Sequence, residues 1–314
     1  MDINLVNRIR QSILNNIDRV IFGKSEVIDL AIMAMMCQGH LLIEDVPGTG
    51  KTVLAKAISK TFNADFKRIQ FTPDMLPSDV TGLSIYNQST KDFEFKPGPI
   101  MAHIVLADEI NRATPKTQSA LLEAMEEKQI TVDGKTYELP QFFMVIATQN
   151  PIDLEGTFPL PEAQLDRFMM RIRIGYPTPE TEKTILKSQK IEHPLQSLNK
   201  TSELEDLLIA QKEIRTVHVS EKIEDYIIDI IKKTRDHEDI FLGASPRGSL
   251  VLYRLGQCKA VFEGRDFVIP DDIRFIAPHA IAHRVIPHSA IRMQDYNSEE
   301  FIAEIIDNIP VPGG

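Results

Sequence analysis

The segment Pro47-Gly48-Thr49-Gly50-Lys51-Thr52 brings together glycines, a lysine and a hydroxyl, the set that holds a polyphosphate. Glycine N–H groups can approach phosphate oxygens with no Cβ in the way, and a helix opening just after them adds the positive end of its dipole. Lys51 offers a point charge to the β- and γ-phosphates, and the Thr52 hydroxyl is a ligand for Mg²⁺. The pattern departs once from G-x-x-x-x-G-K-[ST], because Asp45 stands at the first glycine position. Farther along, Ile104-Val105-Leu106-Ala107 runs into Asp108-Glu109, so two carboxylates stand at the tip of an apolar strand, the edge where open α/β sheets bind ligands. Asp108 is suited to Mg²⁺, directly or through water, and Glu109 to polarising an attacking water. The run Met144-Val145-Ile146-Ala147 delivers Asn150 to the same edge, where an amide can orient that water or touch the γ-phosphate without adding charge.

Two arginines join this set. Ser245 and Pro246 read as the cap and first residue of a helix, which puts Arg247 in a first turn where the dipole disfavours a cation. A bound anion would remove that conflict. Arg167 lies in PEAQLDRF, where a salt bridge with Asp166 or Glu162 is the plainer alternative. His279 and His283 are four apart on an expected helix, but no third ligand recurs at metal-site spacing, so both read as structural or surface residues.

These residues need strands and loops to position them. HLLIEDVPGTGKTVLAKAISKTF is a short apolar strand, a Gly/Pro loop and a helix. Apolar runs of strand length recur at 66–71, 102–107, 142–148 and 169–174, separated by helical or loop segments, which predicts a parallel sheet covered by helices. LSIYNQSTKDFEF and ITVDGKTYEL read as two hairpins inserted in that core. Beyond Pro177 and Pro179 helical periodicity takes over, at 180–189, 220–235, 245–262 and 271–286, so the expected division is an α/β core over 1–178 and a helical domain over 179–314.

Composition narrows the function. The 314 residues, 43% hydrophobic and 25% charged, are those of a globular chain of two domains. The N-terminus lacks the apolar run of a signal peptide, and the most apolar early run, VIDLAIMAMMC, is too short and too polar to span a membrane, so a cytoplasmic location without membrane insertion is expected. Cys37 and Cys258 lie among apolar residues and read as buried thiols. A net charge of −10 disfavours nucleic acid as a general partner.

EDVPGTGKT, RIQFTPDMLPSDVTG, IVLADEINRATPKTQSALLEAME, ATQNP, EGTFPLPEAQLDRF and GASPRG together resemble the MoxR family of AAA+ ATPases over nearly the whole chain. The resemblance implies a sheet of order 5-1-4-3-2, an all-α lid, and a ring, a hexamer, with ATP between subunits. It implies nucleotide contacts at Pro47, Gly48, Thr49, Gly50, Lys51, Thr52, Val53 and Asp108, with Mg²⁺ at Thr52 and Asp108 and Glu109 as the catalytic carboxylate. In the family's roles Asn150 looks like sensor 1, Arg167 like an arginine finger given to a neighbour and Arg247 like sensor 2. Residues 71–97 look like the insert in helix 2 that marks this branch. Family members are chaperone-like motors that mature or activate protein complexes, often with a separate partner bearing a von Willebrand A domain. Three alternatives stand beside that reading: the motor subunit of a metal chelatase, a nucleic-acid motor or loader, and a non-catalytic nucleotide switch.

Overall fold

The computed structural model describes residues 2–151, 156–188, 194–288 and 297–312. Glu155 of the EGTF segment and Gln189, expected to end a helix, lie outside the described residues. Helices α1 (Ile3–Ile17) and α2 (Ser25–Met36) lead into β1 (Leu41–Glu44), whose exit loop opens α3 (Lys51–Phe62). Strand β2 (Phe66–Gln70) is followed by the short α4 (Pro77–Thr81) and the antiparallel hairpin of β3 (Gly82–Asn87) and β4 (Asp92–Pro97). Next come β5 (Ile104–Asp108), α5 (Pro115–Glu127) and a second hairpin, β6 (Gln129–Val132) with β7 (Lys135–Glu138). Strand β8 (Met144–Gln149), the single turn α6 (Glu162–Leu165) and β9 (Met170–Ile172) complete this part.

Five strands pair in parallel in the order β9-β1-β8-β5-β2, which is 5-1-4-3-2 when only core strands are counted. The fold is mixed α/β, as the alternation of apolar runs required. Its inner strands are apolar on both faces because both faces are covered. Ile104 and Leu106 point into one hydrophobic cluster, Val105 and Ala107 into the other, and Met144 and Ile146 oppose Val145 and Ala147 in the same way. The first cluster holds α1, α2 and α3 and continues without interruption into the C-terminal helices; the second holds α4, α5 and Phe168.

The C-terminal part contains α7 (Pro179–Ser188), α8 (Leu204–Ile214), α9 (Glu221–Asp236), β10 (Ile240–Leu242), α10 (Pro246–Phe262), α11 (Pro270–Ile281), β11 (Ile286–Pro287) and α12 (Ser298–Asp307). Helix α9 has the clearest stripe, burying Ile223, Tyr226, Ile227, Ile230, Ile231 and Thr234. Three features differ from the sequence reading. Helices α8 and α12 add to the expected set, each burying only a short stripe of apolar side chains. The helix over 271–286 stops at Ile281, and a 3₁₀ turn over residues 282–284 follows. Strands β10 and β11 form a small antiparallel pair inside the helical region, too short for a period of two to register. No helix among the described residues is long and apolar enough to cross a membrane, and Cys37 and Cys258 are both buried free thiols.

Candidate nucleotide site

The loop between β1 and α3 carries its two glycines at φ +87° (Gly48) and +96° (Gly50), a region that L side chains avoid. A Cβ added at either would meet nothing within 4 Å, so the space in front of the loop is open. Gly50 is the N-cap of α3, which aims the helix N-terminus at that space. Asp45 needs no positive φ and replaces the first glycine by a different device. Its buried carboxylate accepts the Val46 N–H at 2.8 Å through one oxygen and the Ile174 and Gly175 N–H groups at 2.8 and 2.6 Å through the other. The loop is thereby tied to the chain leaving β9. Lys51 Nζ donates to the carbonyls of Asp45 and Val46, at 2.5 and 3.1 Å. Burial lowers its pKa, opposed by Asp45, Asp108 and Glu109, so the cation is poised for a stronger anionic partner.

A cavity of about 370 Å³ opens in front of this loop, lined by Pro47, Gly48, Gly50, Lys51, Thr52 and Val53, and opposite them by Asp108, Glu109 and Asn150. The structure therefore brings all of these sequence-selected residues to one place; Thr49 borders the adjoining cavity. Parallel pairing explains the convergence: β1 and β5 flank β8, so their C-terminal ends share one edge. Thr148 stitches the carboxylate pair together, its hydroxyl donating to Asp108 Oδ1 at 2.6 Å and accepting the Glu109 N–H at 2.8 Å. Glu109 sits at φ +56°, a left-handed turn that a non-glycine residue adopts at a cost of about 1 kcal/mol or more. Its carboxylate accepts from Gln70 Nε2 at 2.9 Å and Arg112 Nη1 at 3.0 Å.

Arg68, Gln70, Arg112 and Thr148 were not among the sequence-selected residues. Arg68 lines the cavity and donates to Asp108 Oδ2 from Nε at 3.0 Å and Nη2 at 2.6 Å. Its signal was a charged residue inside an apolar strand run, two positions before the tip of β2. A second cavity of about 170 Å³ shares Gly48, Gly50 and Val53 with the first and is walled by Val20, Ile21, Phe22, Gly175, Pro177 and Ile185. Its apolar walls suit a flat heterocycle beside the phosphate cradle. These residues have no local period and could not be read as a site before folding.

Arg167 and Arg247 do not line the loop cavity. They border a separate one of about 230 Å³ and share one carboxylate: Glu126 Oε2 lies 3.0 Å from Arg167 Nη2 and Oε1 lies 2.5 Å from Arg247 Nη2. Glu126, not Asp166 or Glu162, is thus the acidic partner of Arg167. It also relieves the conflict of a cation in the first turn of α10, whose N-cap is Ser245 with Pro246 next, as expected.

The donor set fits Mg²⁺ and a polyphosphate. Thr52 and Asp108 face one cavity as oxygen donors, whereas no group of three or more His, Cys, Asp or Glu that could hold a metal occurs among the described residues. Mg²⁺ is bound in this incomplete way, keeping waters and taking phosphate oxygens as further ligands. His283 is buried, with burial and Arg284 holding its pKa well below the usual range, and belongs to no such group.

A 5-1-4-3-2 parallel sheet with a glycine-lysine-threonine loop after its first strand and a carboxylate pair after its third defines a P-loop ATPase of the AAA+ class. A family model described as "ATPase family associated with various cellular activities (AAA)" matches residues 40–170, and an AAA lid domain model matches residues 232–305. The chain is 36% identical to Chaperone MoxR1 of Mycobacterium tuberculosis over 94% of its own length and 80% of that protein. It is 50% identical to the uncharacterised protein YeaC of Bacillus subtilis, over 95% and 93% of the two chains. A crystal structure of a candidate ATPase from Cytophaga hutchinsonii superposes with a TM-score of 0.90 at 38% identity, covering 99% of this chain and 96% of that one. The chain belongs to the MoxR family of AAA+ ATPases and is an ATP-hydrolysing enzyme.

Proposed function

We propose that the chain hydrolyses Mg-ATP at sites shared between neighbouring copies in a ring, a hexamer by family resemblance, and uses the turnover to remodel or mature protein complexes. The observation that carries this reading is the separation of the loop cavity from the Arg167–Arg247 pair: the cavity with the cradle, Lys51, Arg68 and the carboxylates is one, and the cavity bordered by Arg167 and Arg247 is another. Lys51 and the N–H groups of Gly48 to Thr52 bind the phosphates, and the apolar pocket by Ile21 and Pro177 takes the adenine. Thr52 and Asp108, the latter freed of Arg68, would hold Mg²⁺, which would supply charge neutralisation on the phosphate oxygens. Glu109, released from Gln70 and Arg112, takes a proton from the attacking water, and Asn150 orients that water. Arg167 of a neighbour, accompanied by Arg247, leaves Glu126 and meets the charge that develops on the γ-phosphate.

The α/β core is taken to end near residue 178. The chaperone-named relative supports action on protein complexes. The β3–β4 hairpin, within the proposed helix-2 insert, exposes Leu83, Tyr86 and Phe93 for contact with a client. A separate protein with a von Willebrand A domain is the proposed partner, in the cytoplasm.

The test is complementation. Glu109→Gln loses the water-activating half of a site and Arg167→Ala the cationic half, so each alone should be inactive. Mixed rings contain interfaces that pair an intact Glu109 with an intact Arg167, and phosphate release should reappear. With subunit exchange confirmed, mixtures that never exceed the two separate rates would sink the shared site.

A further inference from the structure

Among the described residues Arg284 is the arginine or lysine most completely enclosed, its side chain 1% exposed. All five of its N–H bonds are used. Nε donates to Asp166 Oδ1 at 2.8 Å, Nη2 to the carbonyls of Asp166 and Phe168 at 3.1 and 2.6 Å, and the two N–H bonds of Nη1 are shared among the carbonyls of Met169 (3.2 Å) and Ala280 and His283 Nε2 (2.8 Å). Three of these carbonyls belong to the residues immediately around Arg167, so one guanidinium grips the backbone on both sides of it. The other carboxylate oxygen of Asp166 accepts the Ser245 hydroxyl at 2.8 Å, and that hydroxyl accepts the Arg247 N–H at 3.2 Å. An unbroken path of hydrogen bonds therefore joins the backbone flanking Arg167 to the start of the helix that carries Arg247.

From this geometry we infer that Asp166 and Arg284 are positioning residues, which hold Arg167 and Arg247 in register as one two-pronged cationic group for a neighbour's nucleotide. The inference rests on the shared-site reading above. The planar, fivefold-bonded guanidinium suits the task, since each of its donors is fixed in direction by the others and lysine would supply three donors without that plane. Burial lowers the Arg284 pKa to about 10 while Asp166 opposes the shift, so Arg284 stays protonated at neutral pH. A plain fastener between core and lid would need the ion pair but not its bonds to the carbonyls beside Arg167 or to the cap beneath Arg247.

Directional complementation separates the two roles. Asp166→Asn should lower phosphate release about a hundredfold, the scale of a misplacement of about 1 Å in a reacting group, while fluorescent-ATP affinity stays within about twofold because the chain's own cradle is intact. Such a subunit still accepts arginines but cannot present them. Mixing it with Glu109→Gln, which presents them normally, should restore turnover; mixing it with Arg167→Ala should not. Ser245→Ala, which keeps the Asp166–Arg284 ion pair and removes only the hydroxyl's bonds to Asp166 and to the Arg247 N–H, should show the same direction with a loss of about tenfold and keeps the test available if Asp166→Asn fails to fold. Rescue by Arg167→Ala instead, rescue by neither, or a wild-type rate in both variants overturns the inference. If the Glu109→Gln and Arg167→Ala control mixture itself stays silent, the shared site has failed first.

Discussion

The loop cavity and the arginine cavity are built by opposite means. Around the loop most of the proposed recognition groups are backbone N–H bonds and glycines at positive φ, fixed by the fold before any ligand arrives, with Lys51 and the strand-tip carboxylates as the side-chain contribution. Around Arg167 and Arg247 the proposed recognition groups are long side chains held on Glu126, and their proposed supports are the ion pair of buried Arg284 with half-buried Asp166 and the cap of α10. Preorganised donors cost nothing to arrange when charge develops, whereas parked side chains must first be released. On the proposed reading, the difference teaches that the cradle can bind within one chain, while the arginine half needs a competing anion to leave Glu126.

The comparison breaks most visibly at Arg167. Arg167→Ala should bind ATP near normally and hydrolyse it about a thousandfold more slowly, the usual cost of removing an arginine finger. Equal losses in binding and turnover, measured by nucleotide fluorescence and phosphate release, would place Arg167 in the chain's own cradle.

Acid should attack the arginine side. His40 lines that cavity, accepts the Val145 N–H at Nδ1 (3.0 Å) and pairs through Nε2 with the carbonyl of Met125 (3.2 Å), an arrangement that needs the neutral ring. Burial lowers its pKa to about 4. Because the folded value lies below the unfolded value near 6.5, its contribution is present above about pH 6.5 and lost as pH falls toward 4, up to about 3 kcal/mol. Urea unfolding at stepped pH should show this slope, and His40→Gln should flatten it; His283, shifted the same way, retains part of it.

On the loop side, Glu109→Gln should keep Mg-ATP binding and turn over about a hundredfold more slowly, since removing water activation acts on the transition state. Lys51→Ala should instead weaken ATP binding by about ten- to a hundredfold, the worth of a charge-assisted phosphate contact. Calorimetric affinity unchanged from wild type would exclude Lys51 from the cradle. The smallest effect is expected at Glu126. Releasing a half-exposed pair is worth up to about 1 kcal/mol, so Glu126→Gln should raise turnover by no more than about fivefold; a tenfold fall would make Glu126 part of the site and not its restraint.

Much of the cradle was legible in the sequence because its parts are contiguous or lie at strand ends. Gly48 to Thr52 is a single segment, and a strand reading over 102–107 alone puts Asp108 and Glu109 at a sheet edge. The strand order needed the family resemblance, since periodicity says that strands are parallel and buried but not which neighbours pair. Arg68, Gln70, Arg112 and Thr148 escaped because their roles come from register: Gln70 lies beside Asp108, and β5 beside β8, only once the sheet has formed. The carboxylate shared by Arg167 and Arg247 escaped for a related reason. Nearby Asp166 and Glu162 competed for Arg167 on sequence distance, yet Glu126, at the far end of α5, reaches both arginines.

By itself, then, the chain's sequence determined the chemistry of the phosphate half, where local backbone conformation and strand polarity do the placing. Only the tertiary structure decided that Asp45 keys the loop to the exit of β9, that Glu126 holds two arginines 80 residues apart in sequence (167 and 247), and that Asp166 and Arg284 stand behind them. Side-chain contacts of that kind depend on how helices pack against the sheet, and their energies are fixed by burial, which no local pattern of residues carries.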